Sequence, residues 1–458
     1  MSESKQKVHF IAIGDNSMHH LALSLTKLGI QVTGSDVEIP ESVKISLSQA
    51  GILPGTEWCP DKITPELNAV VINYRVAPDN PELKKAKELG LKIYSFPELV
   101  YNYSIDKQRI VITGSYGKTS IASIVLHVLK YHNRKFDYII GEPVEGFETT
   151  VKLTENAPII IIDTEETSSS PLDPKPQFLN YQHHIALINS VSWSNNGTAS
   201  SAAEYNKLYE TFADATPKCG TIIYSEEDST AKEISKKPRK DVSVFGYEPH
   251  KSDVKGDVTY LSTSFGKIPV SGFGKHYLNN ISGAKTICSR IGITEENFYQ
   301  AIKDYKGTSN LLKAVNKSDS TIVFKDSANT PAQIKATTQA VKKQFSKRDL
   351  VAVLDFAHHK GNTAKNFLSE FKNSLNDADL AVLYVNQNKI QEQQLQVPSE
   401  KELANGFNNS KLKVFTETEA LKDFLLKITW KNKNLLLMSP ENFNGLDIKE
   451  LSDSIIKA

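Results

Sequence analysis

The chain has 458 residues, 39% of them hydrophobic and 23% charged, with 54 Lys and Arg against 53 Asp and Glu for a net charge of +1. That length exceeds what one hydrophobic core organises and implies two or three domains, and the balanced charge excludes an electrostatic case for nucleic acid or an anionic membrane as partner. Cys59, Cys219 and Cys288 are odd in number and far apart, which argues for a reducing compartment and against a disulfide framework or a zinc site.

The polar start MSESKQK carries no signal-peptide profile, and no apolar run reaches the length of a membrane span, so a cytoplasmic location is expected. Residues 8–13 form an apolar run ending at Gly14. A helical pattern over 17–28 closes at Gly29, and a second strand follows over 30–36. This is the βαβ rhythm of a parallel sheet. Strands are predicted at 69–72 and 92–94 around a helix at 81–89, and the polar stretch 102–108 reads as a linker. A second βα start comes at 109–113, with a helix over 119–131, strands at 158–162, 184–188 and 221–224, and helices at 202–213 and 278–291. Residues 258–261 and 266–270 alternate like antiparallel strands. A second boundary falls near 307–312. The third segment holds strands at 320–325, 350–355, 378–385 and 434–438 with helices at 330–345 and 364–375. The expected fold is therefore α/β with three domains: 1–104, Rossmann-like; 105–310, a P-loop ATPase-like parallel sheet with a small antiparallel part; and 311–458, again Rossmann-like.

The strongest chemical signal is ITGSYGKTS. A buried strand ends at Thr113, Gly114 and Gly117 let the backbone curl, and Lys118-Thr119 opens a helix. Such a loop aims successive N–H groups into one concavity and binds anions there. Gly114, Ser115, Tyr116, Gly117, Lys118, Thr119 and Ser120 are the expected ATP-binding residues. Lys118 reaches the β- and γ-phosphates, and the Thr119 hydroxyl serves Mg2+. Ile112 stands where the full phosphate-loop pattern has its first glycine. The loop Gly14-Asp15-Asn16-Ser17-Met18 also joins a strand to a helix, as a dinucleotide or UDP loop does, with Ser35 and Asp36 ending the next strand. It is glycine-poor, and Asp15 puts an anion where a pyrophosphate approaches.

With these segments in order the chain resembles the Mur ligases, particularly the murein peptide ligase and muramate–alanine ligase group. The likeness is carried by IAIGDNSMHHLALSLTKLGIQVTGSD, DNPEL, ITGSYGKTS, SPLDPKPQFLNYQHHIALIN, GFGKHYLNN, KDSANTPAQIKAT and NLLLMSPENFNGLDIKEL. The resemblance implies an ADP-forming acid–amino acid ligase of peptidoglycan synthesis or recycling that works through an acyl phosphate. ATP and Mg2+ would serve it, with a UDP-N-acetylmuramate-type acid and an amino acid or short peptide as partners. It assigns Gly14, Ser17, Met18, Ser35 and Asp36 to the UDP-sugar and His276, Asn280 and Asp326 to ATP. Thr119, Asp163 and Glu166 go to the metal, and Lys118 and Asp163 to catalysis.

The chain also departs from the family pattern. Asp163 replaces a Glu. Ser194-Asn195 stands for Asp-His on the metal, Tyr277 for an Asn, and Asn310-Leu311 for two arginines that would meet phosphate. Asn329 stands for a His, and His358-His359 read as loop residues. The departures motivate two alternatives: a catalytically degenerate paralogue that binds nucleotide and regulates or scaffolds a true Mur ligase, and a ligase acting on an unrelated acid.

Overall fold

A computed structural model of the chain describes residues 6–193, 198–237, 239–307, 312–356, 367–392 and 397–457. Those residues divide into two compact units, one built from 6–193, 198–248 and 282–302, the other from 249–281 and 303–457.

The first unit opens with four parallel strands, β1 (Lys7–Ile11), β2 (Gln31–Ser35), β3 (Ala69–Ile72) and β4 (Ile93–Ser95), in the order β2-β1-β3-β4. Its first crossover is the helix Asn16–Lys27, capped by Asp15 at its start. Gly29 follows its end in the left-handed conformation, φ 81°. The second sheet combines β5 (Gln108–Thr113), β6 (Asp137–Ile139), β7 (Val151–Lys152), β8 (Ile159–Asp163), β11 (Ile185–Ile188), β12 (Thr221–Ser225) and β13 (Ser243–Tyr247). Its order is β13-β12-β11-β5-β8-β6-β7, parallel except for β7. A ribbon of β9 (Ser168–Ser170) and β10 (Asp173–Pro176) stands apart.

The expected segment 1–104 and most of the segment 105–310 share one unit, with 249–281 and 303–307 in the other; within the first unit Phe10, Leu21 and Leu25 cluster with Val151, Leu153, Ile160 and Ile162. Each fully buried side chain of this size contributes about 1.5–3 kcal/mol. Polar contacts fix the same face, with Thr150 Oγ1 2.7 Å from His20 Nδ1 and the Leu153 N–H donating to Ser24 Oγ at 2.8 Å.

In the second unit β14 (Ser252–Lys255), β15 (Val258–Thr263) and β16 (Gly266–Val270) form an antiparallel sheet, as the alternation predicts for β15 and β16, while β14 was not predicted. A six-stranded sheet follows, built from β17 (Lys313–Lys317), β18 (Ile322–Asp326), β19 (Asp349–Phe356), β20 (Leu380–Val385), β21 (Lys413–Phe415) and β22 (Lys433–Met438). Its order is β17-β18-β22-β19-β20-β21, with only β17 antiparallel to its neighbour. Apolar clusters cover both faces, which explains why these strands read as unbroken apolar runs.

The mixed α/β class and its parallel sheets agree with expectation. The predicted helix over 364–375 does not: only Phe367–Glu370 is helical among its described residues. Asn373 takes a left-handed φ of 63° and donates its N–H to the Phe407 carbonyl, which stops helical hydrogen bonding there. The strands Asp137–Ile139, Ser243–Tyr247 and Lys413–Phe415 and the helices Glu400–Phe407, Thr418–Leu426 and Ile448–Lys457 were not predicted. Residues 308–311 of the expected boundary near 307–312, and His358-His359, lie outside the described residues.

Candidate active site

The phosphate loop leaves the sheet where its strand order reverses. Later strands are added on one side of β5 as β8, β6 and β7, and on the other as β11, β12 and β13. Open α/β sheets bind ligands beyond the carboxyl ends of strands at such a point. The helix Lys118–Tyr131 starts there, with Gly117 as its N-cap at φ 80°. Gly114 has φ 141°, and a β-carbon on it would come within 2.9 Å of the Ser190 nitrogen, so both glycines answer to backbone geometry.

Strand register assembles the surroundings. Pairing of β5 with β11 sets Ile188 beside Thr113, so Asn189 and Ser190 flank the loop. Ser115 donates its N–H to the Ser190 carbonyl at 3.0 Å, and Tyr116 donates its own to Ser190 Oγ at 3.0 Å. Asn189 Nδ2 donates to the Tyr116 carbonyl at 2.7 Å and Asn189 Oδ1 accepts from Tyr247 at 2.6 Å. The loop is thus preformed. Its first helical turn keeps N–H groups for which a helix has no internal acceptor. Lys118 Nζ rests on the Gly114 carbonyl at 2.8 Å.

Pairing of β5 with β8 sets Asp163 beside Ile112. Thr119 Oγ1 donates to Asp163 Oδ2 at 2.5 Å, and the Gly141 N–H reaches the same oxygen at 3.3 Å. Burial pushes the Asp163 carboxyl above its ordinary range, while Lys118 and Thr119 oppose that shift. A hydroxyl and a buried carboxylate beside a phosphate loop are two hard oxygen donors and fit Mg2+, which takes its remaining ligands from phosphate and water. No group of three or more His, Cys, Asp or Glu placed to hold a metal occurs among the described residues. Glu166 does not join Thr119; its oxygens accept from Tyr205 at 2.5 Å and Tyr209 at 3.5 Å. Ser194 and Asn195 lie outside the described residues.

At the first loop, Asp15 occupies the start of the Asn16–Lys27 helix. Its Oδ1 accepts from the Ser17 and Met18 N–H groups at 3.0 and 3.4 Å and from Ser17 Oγ at 2.6 Å, and its Oδ2 pairs with Arg75 at 3.2 Å. Gly14 donates its N–H to Asp36 Oδ2 at 2.8 Å, and Asp36 Oδ1 accepts from Val37. The Ser17, Met18 and Gly14 N–H groups, expected to meet a diphosphate, are therefore held by the chain's own carboxylates. Ser35 is fully buried and donates to Glu82 beside His9, a core contact.

In the second unit His276 and Asn280 stand one turn apart on the helix Lys275–Arg290. Burial holds the His276 imidazole down to about 4, and its Nδ1 has no partner among the described residues. Tyr277, at the altered position, lays its ring within 2.5 Å of where a Gly272 β-carbon would stand. Asp326 ends β18, with Oδ2 accepting from Thr337 at 2.5 Å; burial raises it to about 6. Asn310 and Leu311 lie outside the described residues. Sequence reasoning missed Ser190, Tyr205, Tyr247 and Arg75; the Tyr205/Tyr209 pair at helical spacing was the one visible signal among them.

A parallel sheet with a glycine–lysine–threonine loop at its switch point and an acidic residue ending the adjacent strand defines a P-loop nucleotide-binding architecture. The family model described as Mur ligase family, catalytic domain, matches residues 7–106. The chain is 26% identical over 391 residues to the UDP-N-acetylmuramate–L-alanine ligase of Carboxydothermus hydrogenoformans, covering 82% of this chain and 81% of that protein. It is 27% identical over 384 residues to the Persephonella marina protein of the same name, at 82% and 81%. Among solved structures it superposes on MurC of Thermotoga maritima with a TM-score of 0.68 at 17% identity, covering 98% of each chain. The murein peptide ligase of Psychrobacter arcticus gives 0.63 at 18% identity, covering 99% of each. The chain is a relative of the Mur ligases and shares their fold.

Proposed function

We propose that the chain is an ATP-dependent, ADP-forming acid–amino acid ligase of the muramate–alanine or murein peptide type. The observation that carries the reading is the preformed loop Gly114–Thr119, with Lys118 at its helix start and Thr119 bonded to Asp163. Main-chain N–H groups and the Lys118 ammonium bind the triphosphate and orient its γ-phosphate toward a substrate carboxylate. Thr119 and Asp163 would hold Mg2+, which supplies neutralisation of charge between phosphate and carboxylate. Attack by the carboxylate gives an acyl phosphate and ADP, and attack by the amine on that acyl carbon forms the amide and releases phosphate.

His276 and Asn280 are the adenine-side residues of this proposal and Asp326 a ribose-side one. The acid is of the UDP-N-acetylmuramate type, and the amine is an amino acid or short peptide. Its first-loop contacts require Asp15 to yield the start of the Asn16–Lys27 helix. The named relatives are ligases, so the reading as an inactive scaffold is not favoured. Among the described residues no helix is long and apolar enough to cross a membrane.

The test is phosphate release from ATP and Mg2+ in the presence of UDP-N-acetylmuramate with L-alanine or with the murein tripeptide. Release that depends on both acid and amine is expected. Phosphate appearing at the same rate without the acid, or none under any combination, would refute the ligase assignment.

A further inference from the structure

Glu166 lies three residues beyond Asp163, yet it spends both carboxylate oxygens on phenols of the helix Ala202–Asp214. Tyr205 is 2% exposed, Tyr209 fully buried and Glu166 9% exposed, so these contacts are shielded from water. The Tyr205 hydroxyl also lies 3.1 Å from Ser115 Oγ, inside the phosphate loop, and Ser115 Oγ accepts the Ser192 N–H at 2.7 Å.

The far end of this chain fixes its proton order. A carboxylate only accepts, so Tyr205 commits its single proton to Glu166. The phenol oxygen then takes the Ser115 proton, and Ser115 Oγ takes the N–H of Ser192. In this arrangement the Ser115 hydroxyl proton points to Tyr205. Burial drives both phenols above their ordinary range, and the neighbouring Glu166 reinforces the effect. The phenols therefore keep their protons and remain donors across the working pH range.

We propose that Glu166 is a positioning residue that holds the phosphate loop through Tyr205 and Ser115, and that Thr119 and Asp163 serve the divalent cation without it. This rests on the nucleotide-binding reading of the loop. It also answers a geometric question, because a carboxylate engaged by two donors would have to surrender buried hydrogen bonds to reach a metal.

The experiment compares E166Q, E166A and Y205F in the full chain by titration calorimetry. ATP affinity is measured at saturating Mg2+, and half-saturating Mg2+ at fixed ATP. A glutamine oxygen still accepts from Tyr205, so E166Q is expected within about threefold of the wild type in ATP affinity, whereas E166A and Y205F weaken it about tenfold. Half-saturating Mg2+ stays within about twofold throughout, a split that general loosening of the fold does not produce. A tenfold magnesium shift in E166Q overturns the proposal, as does wild-type ATP affinity in Y205F. Should Y205F fail to fold, S115A on the half-buried loop takes its place, and unchanged affinity there is equally fatal. No ATP binding by the wild type would refute the ligase reading itself. Wild-type binding with an E166Q magnesium shift refutes only the positioning role.

Discussion

Lys118→Ala removes the side-chain cation placed on the phosphate loop while leaving both loop glycines in place. The ammonium now rests on the Gly114 carbonyl 2.8 Å away, at the mouth of the loop. Two unit charges about 4 Å apart in surroundings of effective dielectric about 20 attract by about 4 kcal/mol. Allowing about a third of that to be recovered by water around the bare phosphate leaves about 2.7 kcal/mol, or about 100-fold in affinity. At an ATP concentration about 100 times the wild-type Kd, binding stabilises the folded wild type by about 2.7 kcal/mol; the same concentration gives the variant about 0.4 kcal/mol. A melting curve with and without Mg·ATP reads this as a Tm rise of about 3 °C in the wild type and under about 1 °C in the variant. An equal rise in both proteins would show that the nucleotide is held elsewhere.

Three further outcomes are expected. Asp163→Asn takes the charge from the carboxylate bonded to Thr119 Oγ1, so half-saturating Mg2+ should rise about tenfold or more with a smaller loss of ATP affinity at high metal, measured by calorimetry; an unmoved magnesium requirement would remove Asp163 from the metal site. Asp15→Asn keeps an N-cap, since the two residues cap helices about equally well, but removes the anion from the helix start. Stability should stay within about 1 kcal/mol, because the Arg75 partner is exposed. UDP affinity should rise about fivefold, and an unchanged value would place diphosphate binding away from this loop. Asp326, raised to about 6 from 3.8, keeps its proton in the folded state over a window where the unfolded chain has lost it. Wild-type stability relative to Asp326→Asn should therefore fall by about 3 kcal/mol as pH rises from about 4 to above 6. Urea unfolding across that range checks the sign, and a rise would contradict the buried placement.

The sequence carried the architecture well where one physical cause dominated. IVIT and IIII are apolar strand runs, and Gly114 and Gly117 sit where the backbone needs unusual angles, so the phosphate loop, unlike Asp163, which was named only through the family resemblance, was legible from spacing. The partners of that loop were not. Ser190 is 70 or more residues downstream, and only the β5–β11 register puts it there. The partners of Glu166 were not legible either, because nearness to Asp163 in sequence does not say which neighbour a side chain meets, and Tyr205 comes from a distant helix. Ser35 illustrates the same limit: a strand-end serine looks available to a ligand until Glu82 and His9 are found beside it.

The loop's attachment to Ser190, Asn189 and Tyr205 bears on kinetics. A cradle already shaped before its guest arrives asks for no slow rearrangement on encounter, so capture should be governed by diffusion and long-range attraction. Substitutions among these anchors will then alter residence time far more than the speed of arrival. Stopped-flow traces of a fluorescent ATP analogue should accordingly rise at similar rates in wild type and anchor variants, and separate when the label is chased off.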